Sequence, residues 1–325
     1  MKKLILSFDY ELFFGTQSGT VDKSLIYPTN LLLDAMDANG LKGSFFVDWQ
    51  MLKYLKEEGT DRTLSDLEKI ENQLCDIVRR GHRIELHIHP HWVDAKYNGD
   101  GTWDFTDFNH YSLNSFEEDE IVQMFKEGTT LLTMLARKVK TDYKICAFRA
   151  GGWAVQPFDK LKRAFKEAGI KIDSSCSYNQ YYDCKYSTYD FRSEFLRDKD
   201  EYRFTDDILK SVSNGEYIEV PISTFKNGII HMGLNKLYDI FVGKRKRITD
   251  GTHRRPDLPS MGRRRISMLS LSGRSPLSVL MSVLSSDHNI ITMIDHPKDF
   301  TLSNETSLKY ISKHVKSITY YDIIK

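Results

Sequence analysis

The chain alternates short apolar runs with longer segments in which apolar residues recur every three or four positions. The apolar runs predict strands at residues 3–8, 43–47, 84–88, 145–149, 170–173 and 289–294. The periodic segments predict helices at residues 28–39, 65–80, 115–140 and 157–168, of which the third opens on a capping box formed by Ser115 and Glu118. This alternation of strands and helices predicts a parallel sheet or barrel with the helices outside it.

Polar side chains follow five of these predicted strands. They are Asp9 and Glu11; His87, His89 and His91; Arg149 to Trp153; Asp173 to Ser175; and Asp295 to Pro297. Functional groups of such folds collect at the carboxyl ends of the strands. The sequence therefore predicts one site built from several strand ends.

Histidines are concentrated in one segment, since four of the ten lie between residues 82 and 91. Residues 84–88 alternate apolar and polar, which predicts a half-buried strand that ends at Pro90. Strand parity places His87 and His89 on one face. Neutral imidazole is a common metal ligand, so the segment predicts a divalent-metal site, with a histidine-rich surface turn as the alternative.

The carboxylates at the first strand end follow the same parity. Asp9 and Glu11 share a face, while the intervening Tyr10 turns away. Both carboxylates can reach the site on this interpretation, and two surface carboxylates at a strand end are the alternative.

Composition narrows the class of protein. The 325 residues are 40% apolar and 28% charged, with a net charge of +1, which is typical of a soluble globular protein and gives no global field for nucleic acid. This length allows one large α/β domain or two smaller ones. The four cysteines form no CxxC pair and are expected to be reduced thiols. The first apolar run is too short for a signal peptide, and no stretch reaches about 18 apolar residues, so we expect a cytoplasmic location.

Two segments do not fit a minimal barrel. Residues 179–215, rich in Tyr and Asp, are expected to form a lid or sugar-binding rim. Residues 228–285 form a second insertion, and its part 244–274 holds ten basic residues against Asp250 and Asp257. This basic part is interpreted as an exposed loop, or as a contact for a diphosphate or an acidic membrane face. The amphipathic residues 266–284 are expected to pack on the barrel, with a position at a bilayer surface as the alternative.

Taken together, these motifs resemble those of the NodB-type polysaccharide deacetylases, also called carbohydrate esterase family 4. The matching phrases are Ser7-Phe8-Asp9-Tyr10-Glu11, Leu41-Lys42-Gly43-Ser44-Phe45-Phe46-Val47, the segment from Gly81 to His91, Phe148-Arg149-Ala150-Gly151-Gly152-Trp153, Asp173-Ser174-Ser175, Tyr217-Ile218-Glu219-Val220-Pro221 and Ile294-Asp295-His296-Pro297. The resemblance weakens between about residues 179 and 285. It departs from the family's pattern at Tyr10, where the family usually has a second aspartate.

The resemblance implies a distorted (β/α) barrel of about seven parallel strands, formed by residues 1–325 as a single domain. It implies a hydrolase that uses zinc or another first-row divalent metal to remove an N-acetyl group from an amino sugar, in a polysaccharide or in its intracellular precursor, which can be linked to a nucleotide or lipid. Asp9 would be the general base, and the metal ligands would be Glu11, His87 and His91. Asp9 as a ligand, and His89 in place of His91, remain open.

The resemblance also assigns the remaining site residues. His296 would protonate the leaving amine, Asp173 would orient His296, and Arg149 would keep Asp9 ionised. Trp153, His89 and Tyr10 are the candidate substrate contacts. Two other functions stay open, namely opening of a cyclic amide or imide on the same fold, and non-catalytic glycan binding, which the replacement at Tyr10 favours.

Overall fold

A nine-stranded sheet forms the centre of the molecule. The structure is a computed structural model and describes residues 1–243, 245–252 and 265–325. The strands of the main sheet are, in chain order, β1 (Lys2–Tyr10), β2 (Gly43–Asp48), β3 (Arg83–Ile88), β6 (Ala147–Ala150), β7 (Ile172–Asp173), β10 (Tyr202–Phe204), β11 (Tyr217–Glu219), β14 (Ile290–Asp295) and β15 (Val315–Ser317). Three two-stranded sheets accompany it, formed by β4 (Lys96–Tyr97) with β5 (Trp103–Asp104), β8 (Tyr181–Cys184) with β9 (Ser187–Asp190), and β12 (Thr224–Lys226) with β13 (Ile266–Met268).

The main sheet has the strand order β10-β11-β7-β6-β3-β2-β1-β14, and β15 pairs with β1. The seven strands from β11 to β14 are parallel, and β10 is antiparallel to β11. The sheet curls into a half-barrel, and backbone hydrogen bonding between Ser223 and Thr292 connects the segment after β11 to β14. This architecture confirms the predicted distorted barrel of about seven parallel strands.

Strand β1 pairs with three strands, because two of them share one of its edges. Its first residues pair with β15, its residues 6–10 pair with β2, and its other edge pairs with β14. Every residue from Leu4 to Tyr10 is buried. Strand β3 is buried on both faces, so the prediction of a half-buried strand was wrong. A barrel strand has packed neighbours on its inner and its outer side.

Eight α-helices lie in the described residues. They are α1 (Tyr27–Ala38), α2 (Trp49–Glu58), α3 (Asp61–Arg79), α4 (Glu118–Arg137), α5 (Asp159–Ala168), α6 (Ile229–Phe241), α7 (Pro276–Leu284) and α8 (Ser303–Ile311). The helices predicted at 28–39, 65–80, 115–140 and 157–168 correspond to α1, α3, α4 and α5. The capping box of α4 is formed by Glu117 and Glu120 instead of Ser115 and Glu118. No helix in the described ranges is both long and apolar enough to cross a membrane.

Candidate active site

The carboxyl ends of five parallel strands bring the polar side chains together. In the register of the sheet, His87 of β3 lies beside Asp48 of β2 and Arg149 of β6. On β1, Phe8 lies beside Asp295 of β14, so that Asp9 and His296 follow at neighbouring positions. The side chains cross the barrel interior because their strands end at the same edge.

Glu11 is the centre of the cluster. Its Oε2 lies 3.0 Å from His87 Nε2 and 2.8 Å from His89 Nε2, and all three residues are buried. Its Oε1 accepts a hydrogen bond of 2.7 Å from the ammonium of Lys298, which is only 1% exposed. Burial would raise the pKa of Glu11, but Lys298 and the two imidazoles hold it well below the ordinary value. Glu11 is therefore ionised.

The hydrogen bonding of His87 fixes which nitrogen faces Glu11. Its Nδ1–H donates to the carbonyl oxygen of Arg149 at 2.6 Å, so the lone pair of the neutral ring lies on Nε2. The lone pair on Nε2 and the carboxylate oxygen of Glu11 repel each other, so their close approach requires a cation between the two atoms. Without a metal that cation is a proton, since Asp9 and Glu11 outweigh burial and raise the pKa of His87 to about 9. Burial lowers the pKa of His89 to about 4, so its ring is neutral.

The donor set fits a divalent metal. The oxygen of Glu11 and one nitrogen from each of His87 and His89 lie within 4.8 Å of one another, and bonds of about 2 Å to a shared ion are within reach of small side-chain shifts. Strand parity had selected this pair. His91, which the resemblance selects, is not part of this group in the described residues; its ring packs on those of Phe14 and Tyr111.

Asp9 is held by Arg149. Oδ1 of Asp9 accepts a hydrogen bond of 2.6 Å from Nη1 of Arg149, and Oδ2 lies 3.6 Å from His296 Nε2. Burial would raise the pKa of Asp9, but Arg149, His87 and His296 lower it. The guanidinium is itself fixed by Ser7, Ser174 and Tyr320. Asp9 is thus an ionised carboxylate. Its Oδ1 is held by Arg149, and its Oδ2 lies next to the candidate metal ligands.

His296 reaches both carboxylates from β14. Its Nε2 lies 3.6 Å from Asp9 and 3.5 Å from Glu11, and its Nδ1 lies 3.6 Å from Oδ2 of Asp299. Sequence reasoning assigned the orienting role to Asp173. Asp173 accepts two hydrogen bonds from Ser175 and interacts with Glu219, and its orienting role stays a prediction. Burial raises the pKa of Asp173 to about 6.

Tyr10 points away from this cluster, and Trp153 lies against the segment 179–215. The hydroxyl of Tyr10 donates to Gln73 of α3 at 2.7 Å, so this side chain points to the outer side of the sheet and is not brought into the site. Trp153 is half-buried and its ring contacts Tyr189 of the segment 179–215. Gly151, two residues before it, leaves room for the site, because a Cβ there would lie 2.5 Å from the oxygen of Ile88 and 2.8 Å from His89 Nδ1.

Sequence reasoning missed three charged groups at the site, of which Lys298 and Asp48 are buried and Asp299 is partly exposed. Lys298 and Asp299 follow His296 within three residues, which was the only signal for them. Asp48 ends β2 and accepts hydrogen bonds from the backbone N–H of His89 at 3.2 Å and from Trp92 at 2.6 Å. Burial raises the pKa of Asp48 to about 7. Asp48 therefore anchors the turn that carries the histidines.

Comparisons with known proteins bear on the fold. The sequence matches no family model and no curated protein. A protein from Parabacteroides distasonis assigned as a glycoside hydrolase/deacetylase aligns over 96% of this chain and 65% of its own length, with a TM-score of 0.53 and 9% identity. A protein from Mycobacterium smegmatis assigned as a polysaccharide deacetylase aligns over 99% of this chain and 88% of its own length, with a TM-score of 0.49 and 14% identity. The family 4 carbohydrate esterase from Streptomyces lividans aligns over 96% and 86%, with a TM-score of 0.38 and 8% identity. The chain has the fold that the NodB-type motifs predicted.

Proposed function

We propose that this protein is a metal-dependent hydrolase that removes the N-acetyl group of an amino sugar. The observation that carries the proposal is the arrangement around Glu11. Two imidazole nitrogens face one carboxylate oxygen, and a second carboxylate, Asp9, lies beside them with a buried arginine. A metal site next to an ionised base and a histidine is the set of groups that hydrolysis of an amide requires.

Glu11, His87 and His89 would hold the metal, which we expect to be zinc or another first-row ion, with His91 kept as the alternative to His89. When bound, the ion supplies a Lewis acid that polarises the acyl carbonyl and increases the acidity of water. Lys298 occupies Oε1 of Glu11. This hydrogen bond leaves Oε2 as the oxygen directed to the imidazoles.

Asp9 would act as the general base. It accepts a proton from the attacking water while the water oxygen forms a bond to the acyl carbon. Arg149 keeps Asp9 ionised and fixes the direction of its carboxylate. His296 would donate its proton to the amine nitrogen as the C–N bond breaks, which releases acetate and the free amino sugar. Asp299 Oδ2 lies 3.6 Å from Nδ1 of His296, on the side of the ring opposite the two carboxylates, and would help to orient it.

The substrate would lie against the rim formed by Trp153 and the segment 179–215. The half-buried ring of Trp153 offers an apolar face of the kind on which sugar rings pack, and the buried ring of Tyr189 supports it from the segment 179–215. A nucleotide- or lipid-linked sugar would carry phosphates, and the basic segment 244–274 would receive them. Lys244 and residues 253–264 of that segment lie outside the described residues. Arg247 is described and pairs with Asp299 at 3.1 Å, next to His296.

Metal analysis combined with an acetate-release assay tests the proposal. We expect stoichiometric metal in the purified protein, its loss in His87→Ala and His89→Ala, and its retention in Asp9→Asn, with acetate release from N-acetylglucosamine oligomers abolished in all three. The exposed His314 provides the matched control, and His314→Ala is expected to keep both metal and activity. Retention of full activity by Asp9→Asn, or metal loss in His91→Ala instead of His89→Ala, would contradict this assignment. Ring opening of a cyclic imide without acetate release would favour the alternative reaction.

A further inference from the structure

Helix α6 directs its apolar side away from the rest of the described chain. Large apolar side chains that are exposed on it, or just after it, are Ile229 (85% exposed), Ile230, Met232, Leu237, Ile240, Phe241 (81% exposed) and Val242. The buried residue of the helix is His231. A surface helix of a globular protein normally buries its apolar stripe and exposes its polar side. In α6 the apolar side is exposed, and the polar side faces the protein.

The polar side of α6 attaches it to the protein. Its attachment residues are spaced four apart and therefore lie along one line of the helix: His231, Asn235 and Asp239. His231 Nδ1 lies 2.9 Å from the hydroxyl of Ser278 on α7, and Oδ1 of Asn235 accepts from the backbone N–H of Ser275 at 2.8 Å. Asp239 pairs with Arg245 at 2.7 Å. These contacts fix the rotation of the helix and hold the apolar side outward.

Positive charge borders this apolar side. Lys236 is the charged residue that lies within it, and Arg245, Lys246 and Arg247 follow the helix directly. The sequence of residues 244–274 holds ten basic residues and two acidic ones, of which Lys244 and those between residues 253 and 264 lie outside the described residues. An exposed apolar patch bordered by cations is complementary to a surface that is apolar beneath and anionic on top.

We propose that α6 docks this protein on the surface of an anionic lipid bilayer. The 13-residue helix is about 20 Å long and would lie in the plane of the surface. Its aliphatic and phenyl side chains would enter the boundary between headgroups and acyl chains, while the exposed Lys236 and Lys246 would contact lipid phosphates. A second copy of the chain is a poorer occupant, since pairing α6 with itself would bring the same cations together.

The proposed docking surface is connected to the candidate active site. The chain that leaves α6 reaches Arg247, whose guanidinium pairs with Asp299 and lies over the ring of Phe13. A further hydrogen-bonded contact joins Asp250 to Thr20 and Ser24, in the loop after β1. Docking would therefore place the rim of the site near the bilayer. The binding proposal itself does not depend on the hydrolytic reaction.

Vesicle flotation of the full-length protein tests the proposal. We expect binding to vesicles of equal parts phosphatidylcholine and phosphatidylglycerol, and little binding to phosphatidylcholine alone. The double variant Ile240→Gln/Phe241→Gln should bind at least about tenfold more weakly, since two buried side chains lose their transfer free energy. Met134→Gln, at an exposed apolar position of α4, is the matched control and should bind as the wild type does.

Fluorescence quenching provides a second test, in which binding itself produces the change that is measured. Tryptophan fluorescence of Phe241→Trp should be quenched by brominated lipids in the mixed vesicles, and that of Met134→Trp should not. The proposal is overturned if the wild type does not float with the mixed vesicles, if the double variant floats equally well, or if both tryptophans respond alike. It is also overturned if light scattering shows a dimer that the double variant loses while vesicle binding is absent.

Discussion

Replacing Arg149 by methionine is the sharpest test of the charge arrangement at Asp9. The guanidinium is fully buried and donates five hydrogen bonds, one to Asp9 and the others to Ser7, Ser174 and Tyr320. Methionine fills a similar volume but leaves the carboxylate buried without its cation. Breaking one partner from a buried pair costs about 3–5 kcal/mol. We expect the free energy of unfolding to fall by about that amount at neutral pH.

The loss of stability should depend on pH with a defined sign. In the wild type the pKa of Asp9 is lowered, so ionised Asp9 contributes stability above its unfolded pKa of about 4, and this contribution is lost as the pH falls through the folded value. In Arg149→Met burial dominates, and the pKa of Asp9 should rise above its ordinary value. The difference in stability between the two proteins should then be largest at neutral pH and shrink toward about pH 4. The acid limb of the hydrolysis profile should move up by about 1–3 pH units.

Urea unfolding followed by circular dichroism at several pH values measures both effects. The double variant Asp9→Asn/Arg149→Met should recover part of the stability, because it leaves no unpaired charge. Arg163→Met is the matched control, since Arg163 is an exposed arginine paired with Asp119 and Glu167, and it should change stability little at any pH. A loss in Arg149→Met that is the same at every pH, or as small as that of the control, would refute the reasoning.

Four further outcomes are expected. Tyr10→Phe should lower the free energy of unfolding by about 1 kcal/mol in urea titrations and leave KM unchanged, because its hydroxyl bonds to a helix outside the site. Gly151→Ala should lower both Tm and metal content, measured by calorimetry and elemental analysis, since its Cβ would lie 2.5 Å from a backbone oxygen. Lys298→Met should be destabilised by about 3–5 kcal/mol in metal-free urea titrations, because it leaves Glu11 without its ammonium partner. Chelation should lower the Tm of the wild type, and zinc at about 100 times its Kd should restore about 2.7 kcal/mol; an unchanged Tm would count against the metal site.

The sequence by itself determined the order of strands and helices and the polar side chains that follow the strands. Periodicity of two or of 3.6 residues is a local property, so residues 3–8, 43–47 and 84–88 were predicted within a few positions of β1, β2 and β3. Strand parity also identified His87 with His89, the pair that the structure groups with Glu11. The carboxyl ends of parallel strands meet at one edge, and this rule predicted one site from distant segments.

Only the tertiary structure decided which neighbours these groups acquire. Lys298 and Asp299 read as ordinary surface charges in the sequence, and they become partners of Glu11 and His296 because β14 lies beside β1. The apolar residues of α6 have the composition of a core helix, yet they point outward because the polar residues on its other side are held by α7 and Arg245. Local pattern fixes which side chains share a face, whereas what covers that face depends on elements far away in the chain.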